Sequence, residues 1–398
     1  MTFLRRISTR RLLSICALAL VIVIGGTAVA LATSGGGPKP PAKPLANAVH
    51  DALEAPAVPG ISADVHFTNN LIDASSLEGK DPILAGATGR LWASPADGGK
   101  LRLELQAEEG GNDSQVLVEG RHFEIYDGTS ETVYEGTLPE HEGSEGEGKA
   151  AEAEDGVPSV ERIQEGIDRA GNRVDLSGAI PSDVAGRATY TVWAAPSHDG
   201  GLLGRVELSW DAGNGIPLRG AVYSSESSSP VLELAATGVN FEAVPASVFE
   251  ISPPAGAKVV DLSASGMKGA DGKPTQAVGA EAVSAAIDFP LAAPPSLAGL
   301  PQADVRAIEF DGHTAALVTY GKGLGGIAVI ETKTSPEGST PMGGPGQLGL
   351  PKIAIGDVKG EELDTALGSV LRFSREGVDY VVLGSVPPAA VEAAARGL

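Results

Sequence analysis

The sequence predicts an α+β protein in which a long antiparallel β-meander, covered on one face by two helices, precedes a smaller α+β module. Two patterns carry this prediction. Apolar and polar residues alternate with a period of two along many segments, as in residues 61–68, and apolar residues recur at helical spacing in residues 45–54 and after Ser159. An apolar run over residues 12–32 adds a transmembrane or signal helix.

The first 34 residues are predicted to be a signal peptide or membrane anchor. Four arginines precede the apolar run, which is long enough to span a bilayer and leaves these arginines in the cytoplasm. Small residues at 28–32 also suit a cleavage site, so anchor and cleaved signal both remain open. Either way, the rest of the chain lies at the extracytoplasmic face of the cell membrane, anchored through residues 12–32 or secreted.

Composition excludes several kinds of chemistry. Cys16 is the only cysteine and lies inside the apolar run, so the exported part has no disulfide and no thiolate ligand or nucleophile. The formal net charge is −22, and because the first 50 residues contain six basic and no acidic side chains, the remainder carries −28. Such a surface repels phosphate backbones, which argues against a nucleic-acid partner.

The chain divides into five predicted parts. Residues 35–44 form a Gly/Pro tether, 45–260 the meander with its helices, 261–299 a linker rich in Pro and Gly, and 300–398 the small α+β domain. Within the meander, residues 45–54 and 160–170 have an apolar helical face, with Ser159 as N-cap and Gly171 as stop. The acidic stretch at 140–156 contains no large apolar residue and is predicted to be a surface loop.

None of the catalytic or metal-binding motifs in the sequence lies in the structural context that its chemistry requires. Residues 321–326 match the spacing G-x-G-x-x-G, but a β-branched run follows instead of a helix, which favours a hairpin. Ser265 and Lys268 match S-x-x-K inside a Gly/Ala/Ser segment without a predicted helix. The six histidines show no ligand spacing on a helix. We therefore expect a protein that is not an enzyme and uses no cofactor or metal.

What remains is a set of apolar side chains on the predicted strands and helices. They form an ordinary core, the simpler interpretation, or they line a lipid-binding cavity. The set comprises Val49, Leu53, Phe67, Trp92, Leu103, Leu105, Phe123, Ile163, Ile167, Trp193, Trp210 and Tyr223.

Several short sequence motifs occur in a recognisable order between residues 45 and 260. They are G-R-L-W at 89–92, F-E-I-Y-D at 123–127, the D…G-I-P-L-R hairpin at 211–219 and V-F-E-I-S-P-P-A-G at 248–256. In this order the region resembles the LolA-like proteins, which include the lipoprotein carrier LolA and the N-terminal domain of the regulator RseB. The resemblance implies a curved antiparallel half-barrel, closed by helices, whose apolar hollow accepts acyl chains.

The C-terminal region carries a second likeness. The phrase R-x-x-x-x-G-V-x-Y-V-V-x-G at residues 372–384, followed by a helix, resembles an uncharacterised domain often found beside LolA-like regions or in anti-sigma-associated membrane proteins. This resemblance implies no activity.

These observations lead to three functional hypotheses. The first is an extracytoplasmic lipid- or lipoprotein-binding protein, a carrier or local handler of acyl chains. The second is a membrane-tethered envelope-stress sensor or anti-sigma-associated regulator with a membrane regulatory protein as partner, and the third is a structural envelope protein without a ligand. The tether and the acidic insertion at 140–155 differ from a freely shuttling carrier and favour the attached forms.

Overall fold

The computed structural model describes residues 37–72, 86–95, 99–107, 113–128, 130–137, 157–198, 200–251, 254, 256–261, 277–310, 313–334 and 350–398. The predicted membrane span, the acidic loop and the S-x-x-K match lie outside these residues. Across the described ranges, no helix is both long and apolar enough to cross a membrane.

The first region is one curled, antiparallel half-barrel sheet of 13 strands. Its strand order is β13-β6-β5-β4-β3-β2-β1-β12-β11-β10-β9-β7, with β8 paired beside β9 and only β13 running parallel to its neighbour, β6. The strands are β1 Ile61–Asn69, β2 Ala87–Ser94, β3 Lys100–Ala107, β4 Ser114–Glu119, β5 His122–Asp127, β6 Thr132–Thr137, β7 Val174–Leu176, β8 Ile180–Val184, β9 Arg187–Pro196, β10 Leu203–Asp211, β11 Pro217–Ser224, β12 Pro230–Asn240 and β13 Lys258–Asp261.

Two helices accompany this sheet. Helix α1, Leu45–Glu54, has the bounds that its apolar spacing predicts. Helix α2, Val160–Ala170, begins after Ser159, whose Oγ accepts a hydrogen bond from the backbone nitrogen of Arg162, and ends at Gly171. Both ends of α2 are therefore capped as the sequence predicts.

The second region is an eight-stranded antiparallel sheet with two helices. Its order is β14-β15-β16-β17-β21-β20-β19-β18. The elements are α3 Ala280–Ala286, β14 Ser296–Leu297, β15 Leu300–Phe310, β16 His313–Tyr320, β17 Ile327–Lys333, β18 Lys352–Ile355, β19 Val358–Thr365, β20 Gly368–Arg375, β21 Val378–Gly384 and α4 Pro388–Gly397. Residues 321–326 join β16 to its antiparallel neighbour β17, so the G-x-G-x-x-G match is the predicted hairpin connection.

Part of the segment predicted to be a linker contributes to the core of the second sheet. Val283 of α3, Phe289 and Leu297 are buried there, together with Val391 of α4. Six strands do not appear among the sequence predictions: β7, β8, β13, β14, β18 and β19.

The two sheets meet through backbone hydrogen bonds. Leu202, between β9 and β10, donates to Ser385 at the end of β21, and Ala366, between β19 and β20, donates to Leu71 beyond β1. Direct contacts therefore connect one end of the first sheet with loops of the second.

Candidate ligand-binding face

Helix α1 is fixed on the apolar face of the half-barrel. Ala48 is buried against Tyr190 of β9 and Trp210 of β10, and Val49 packs on the same cluster. The Tyr190 hydroxyl donates a hydrogen bond of 2.7 Å to the carbonyl oxygen of Pro41, which precedes the helix. Several apolar side chains and a buried hydroxyl thus hold α1 against the strands.

The β10–β11 hairpin also touches the C-terminal end of α1. Gly215 has a positive φ of 73°, and a Cβ placed there would lie 2.4 Å from the carbonyl oxygen of Ala52. Only glycine permits this close approach of two backbones. The hairpin loop, predicted from its D-A-G-N-G sequence, therefore supports the far end of α1.

Helix α2 is attached differently, because it packs on α1 and makes no comparable contact with any described strand. None of its residues is buried, although Ile163 and Ile167 share one face and are half-exposed. The His50 Nδ1 atom of α1 lies 2.9 Å from the carbonyl oxygen of Pro158, just before α2. Helix α2 is therefore an outer layer that is held to the protein through α1.

Exposed apolar side chains flank this connection. Leu53 on α1 is 54% exposed, and Val157, next to Pro158, is 40% exposed. Burying either one would release free energy at about 25 cal/mol per Å² of apolar surface. The junction of α1 and α2 thus presents apolar surface beside the apolar face of the sheet.

That face continues through the central strands. Phe67, Leu103 and Leu105 are buried in one cluster with Leu234 of β12. The strand register places Phe67 opposite Leu234, and Leu103 opposite both Leu91 and Val116. Phe123, which lies opposite Val118, is half-buried on the same face.

Three predicted binding residues lie on the opposite face. Trp92 is paired with Arg102, whose guanidinium lies 5.4 Å from the centroid of the indole ring. Trp193 is aligned with Glu207, and Tyr223 is buried in a charged network. Since neighbouring residues of a strand point to opposite faces, these three side chains are separated by the sheet from Phe67, Leu103, Leu105 and Trp210.

The network around Tyr223 was not found by sequence reasoning. Arg219 donates to the carboxylates of Glu233 at 2.6 Å and Glu207 at 2.8 Å, and to the Tyr223 hydroxyl at 2.8 Å. Burial raises the pKa of Glu207, but hydrogen bonds from Arg219 and Arg205 outweigh it, so the net pKa lies below the ordinary value. In the sequence of β10, β11 and β12, charged residues recur at the positions that alternate with apolar ones. This recurrence could have indicated a charged network on one face of the sheet.

A groove of about 1050 Å³ lies on this second, polar face rather than on the apolar one. Its polar lining includes Thr237 of β12 and six residues at matching positions on β1, β2 and β3, namely Asp64, His66, Thr88, Arg90, Glu104 and Gln106. The groove therefore differs in chemistry from the apolar hollow that the sequence resemblance implies.

Among the described residues of the second sheet, the carboxyls of Glu331 and Glu362 are buried, that of Glu331 more deeply. Glu331 of β17 is fully buried on the same side of the strand as Ile327 and Val329. The backbone nitrogen of Ala292 donates to its Oε2 atom at 2.9 Å, whereas its Oε1 atom has no hydrogen-bond partner. Burial raises the pKa of Glu331 to about 7 and outweighs the opposing effect of the Ala292 hydrogen bond.

No family model matches the chain, and no curated protein matches it. Solved structures similar in fold include the Pseudomonas aeruginosa MucA/MucB complex, at 17% identity and a TM-score of 0.43, covering 88% of this chain and 96% of that one. A putative outer membrane lipoprotein-sorting protein domain from Vibrio parahaemolyticus aligns at 11% identity and a TM-score of 0.24, covering 52% and 96%.

A LolA superfamily protein from Nitrosomonas europaea aligns at 11% identity and a TM-score of 0.21, covering 53% of this chain and 99% of that one. The similar structures thus include the protein group that residues 45–260 resemble in sequence. At these identities the likeness concerns the fold alone.

Proposed function

We propose that this protein is a non-enzymatic, extracytoplasmic binding protein that holds the acyl chain of a lipid or lipoprotein between α2 and the apolar face of the half-barrel. Helix α1 serves as the fixed support and α2 as the gate. Each methylene buried there would contribute about 0.8 kcal/mol before ordering costs, so no charged or catalytic group is required.

The observation that carries this proposal is the attachment of α2. It is an amphipathic helix with capped ends, yet it buries none of its residues, and its main contact among the described elements is with α1. An apolar helical face normally covers a core. An apolar helical face that is half-exposed and is held through α1 rather than by the sheet leaves apolar surface free to cover a ligand instead.

Site-specific photo-crosslinking in the full chain, in its own membrane, tests the proposal. A benzoylphenylalanine at position 163 should capture a lipid, detected by mass spectrometry as an acyl-containing adduct. The matched control is the same probe at Glu165, which is exposed and lies on the polar side of α2. Adducts at position 163 and none at position 165 support the proposal.

A second variant separates binding from folding. Ile167→Asp should remove the adduct at position 163, while circular dichroism stays unchanged because Ile167 is not buried. Equal adducts at positions 163 and 165, or no lipid adduct at either, would contradict the proposal.

The contacts between the two sheets support a regulatory role as the second candidate. Leu202 and Ser385 connect a turn of the half-barrel with the second sheet by direct hydrogen bonds, a contact suited to carry a change from the first sheet to the second. A membrane partner captured through residues 300–398 only when the lipid is present would favour this sensor function over a carrier.

A further inference from the structure

We infer that the chain remains anchored in its membrane through residues 12–32, and that the end of the half-barrel at which α1 stops rests on the outer surface of that lipid bilayer. The contacting surface consists of two neighbouring segments, residues 53–59 after the apolar face of α1 and residues 243–246 after β12. We call these two segments the membrane rim.

The chain that precedes α1 is fixed along the edge of the half-barrel. The backbone of Lys43 forms an antiparallel bridge with Ala179, just before β8. Further toward the N-terminus, Gly37 lies so close to Asp183 of β8 that a Cβ on the glycine would collide with the carboxylate. Residues 37–43 therefore run alongside β8, and the point at which the tether leaves the half-barrel is set by these contacts.

The tether leaves little distance between this point and a bilayer. The apolar run ends at Ala32, five residues before Gly37. Because an extended chain spans at most about 3.6 Å per residue, Gly37 lies within roughly 18 Å of the end of the run. A run that spans the bilayer ends near its surface, so the attached end of the half-barrel stays close to the membrane.

The tether leaves at the same end of the sheet at which α1 stops. Asp183 is paired with Ala188 across the β8–β9 turn, and the Ala188 carbonyl oxygen accepts a hydrogen bond of 2.9 Å from the Ala212 nitrogen. Ala212 belongs to the β10–β11 loop, in which Gly215 lies against Ala52 of α1. These contacts connect the tether directly with the beginning of the membrane rim.

The membrane rim is apolar and exposed. Leu53 is 54% exposed, and most of the A-P-A-V-P sequence at residues 55–59 is exposed as well. The A-V-P-A sequence at residues 243–246 lies beside it, because Gly60 packs against the backbone of Val244. Adjacent exposed apolar segments of this kind mark a contact with a protein or a membrane, and the short tether makes the membrane the partner.

Charge also favours this end of the protein. Residues 53–60 and 241–248 contain two charged side chains, Glu54 and Glu242. The exported part of the chain as a whole carries a formal charge of −28, which an anionic lipid surface repels. The bilayer is therefore approached at the lowest electrostatic cost by a surface that bears few carboxylates.

This orientation places the proposed gate beside the membrane. Leu53 belongs to the membrane rim and also flanks the junction of α1 and α2, so an acyl chain that leaves the bilayer would meet that junction first. Contact with the bilayer does not require an occupied hollow. The lipid adducts at position 163 and the membrane contact can therefore fail independently.

Probe fluorescence in the full chain, reconstituted into vesicles of phosphatidylcholine and phosphatidylglycerol, tests the membrane rim. The fluorophore NBD is attached to Ala57→Cys or to Ala243→Cys in a Cys16→Ser background, which removes the native cysteine. At both positions we expect emission at shorter wavelength and quenching by nitroxide-labelled lipids. The matched control is Ser228→Cys, which is exposed between β11 and β12 at the opposite end of the sheet and should show neither effect.

A charged substitution tests whether the apolar surface makes the contact. Leu53→Asp should reduce lipid quenching of a probe at position 57, whereas Ser228→Asp should leave it unchanged. Circular dichroism should show that both variants keep the fold, because both side chains are exposed.

Three results would overturn the inference. The first is an intact mass, measured on the chain isolated from its own membrane, that lacks residues 12–32. The second is lipid quenching at positions 57 and 243 that does not exceed the quenching at position 228. The third is a shift of emission to shorter wavelength without lipid quenching, which would show that a protein surface, such as a second copy of this chain, covers the membrane rim.

Discussion

The backbone nitrogen of Leu202 donates a hydrogen bond of 2.9 Å to the carbonyl oxygen of Ser385 and thereby joins the two sheets. The Ser385 hydroxyl donates in turn to the carbonyl oxygen of Leu367 at 2.7 Å, which fixes the turn on the side of the second sheet. A second bond, from Ala366 to Leu71 at 2.8 Å, lies nearby. Backbone hydrogen bonds on both sides therefore hold the two sheets together at this junction.

Gly201→Ala should disrupt the junction. Gly201 has a φ of 60°, and a Cβ there would lie 1.9 Å from the Ser385 carbonyl oxygen, so the two backbones must separate. We expect a loss of roughly 2 to 4 kcal/mol of unfolding free energy and faster proteolysis between the sheets. Urea unfolding and limited proteolysis measure the two effects.

Gly186→Ala is the matched control. Gly186 has a similar φ of 71°, but nothing lies within 4 Å of a Cβ placed there. It should cost only the backbone strain, about 1 to 2 kcal/mol, and leave the junction protected from proteolysis. Equal effects of the two substitutions would show that the contact with Ser385 contributes nothing.

Glu331 should make the second sheet less stable as the pH rises. Its pKa is about 7 in the folded protein and 4.5 ordinarily, so between these values the unfolded carboxyl loses its proton while the folded one keeps it. The contribution of Glu331 to stability is therefore highest below about pH 4.5 and falls until about pH 7, by an amount on the order of 3 kcal/mol. Unfolding free energies over this pH range measure the loss.

Glu331→Gln should flatten that profile and be more stable than the wild type above pH 7, because an amide carries no charge to bury. Glu226→Gln is the control, since Glu226 is exposed. If the slopes of the wild type and Glu331→Gln are the same, Glu331 ionises normally in the folded protein.

Features that depend on nearby residues could be predicted from the sequence. The ends of α1 follow from its apolar spacing and the Pro56 beyond it, and the start of α2 follows from Ser159. Alternation of polar and apolar residues located the strands that have one buried face. By contrast, β19 carries the run G-E-E-L-D, which has little apolar periodicity, and its pairing with β18 and β20 is what makes it a strand.

The candidate site could be predicted only in part. Phe67, Leu103 and Leu105 alternate with polar residues, and the structure places them together. Trp92 follows Leu91, and the sequence does not show which of the two side chains lies on the apolar face. Leu91 pairs with Leu103 in the β2–β3 register, so Leu91 lies on the apolar face and Trp92 on the other. Contacts between residues far apart in sequence decide such cases.

Arg219→Met should be strongly destabilising. It leaves Glu233, which is 3% exposed, and Glu207 without their shared cation, and breaking a buried ion pair costs about 3 to 5 kcal/mol. The pKa of Glu207 is lowered in the folded protein, so its contribution to stability is present above its ordinary pKa and is lost as the pH falls. The stability of Arg219→Met should therefore not show this decrease at acidic pH. Urea unfolding at several pH values measures both effects.

Arg205→Met is the matched control for Arg219. Arg205 donates to the same Glu207 carboxylate at 2.8 Å, but its side chain is 36% exposed. Exposed ion pairs contribute at most about 1 kcal/mol, so the loss should be small. If both variants lose a similar amount of unfolding free energy, the burial of Arg219 does not strengthen its ion pairs.

Ser159→Ala should loosen α2 without unfolding the rest of the protein. It removes the hydrogen bond from the Arg162 backbone nitrogen to the Ser159 hydroxyl, and loss of such a cap costs about 1 kcal/mol. Because the main contact of α2 among the described elements is with α1, we expect faster hydrogen exchange across Val160–Ala170 and an almost unchanged global unfolding midpoint. Glu165→Ala, which keeps the cap, should leave exchange unchanged. If Ser159→Ala instead lowers the global unfolding midpoint clearly, α2 is an integral part of the fold and not a gate.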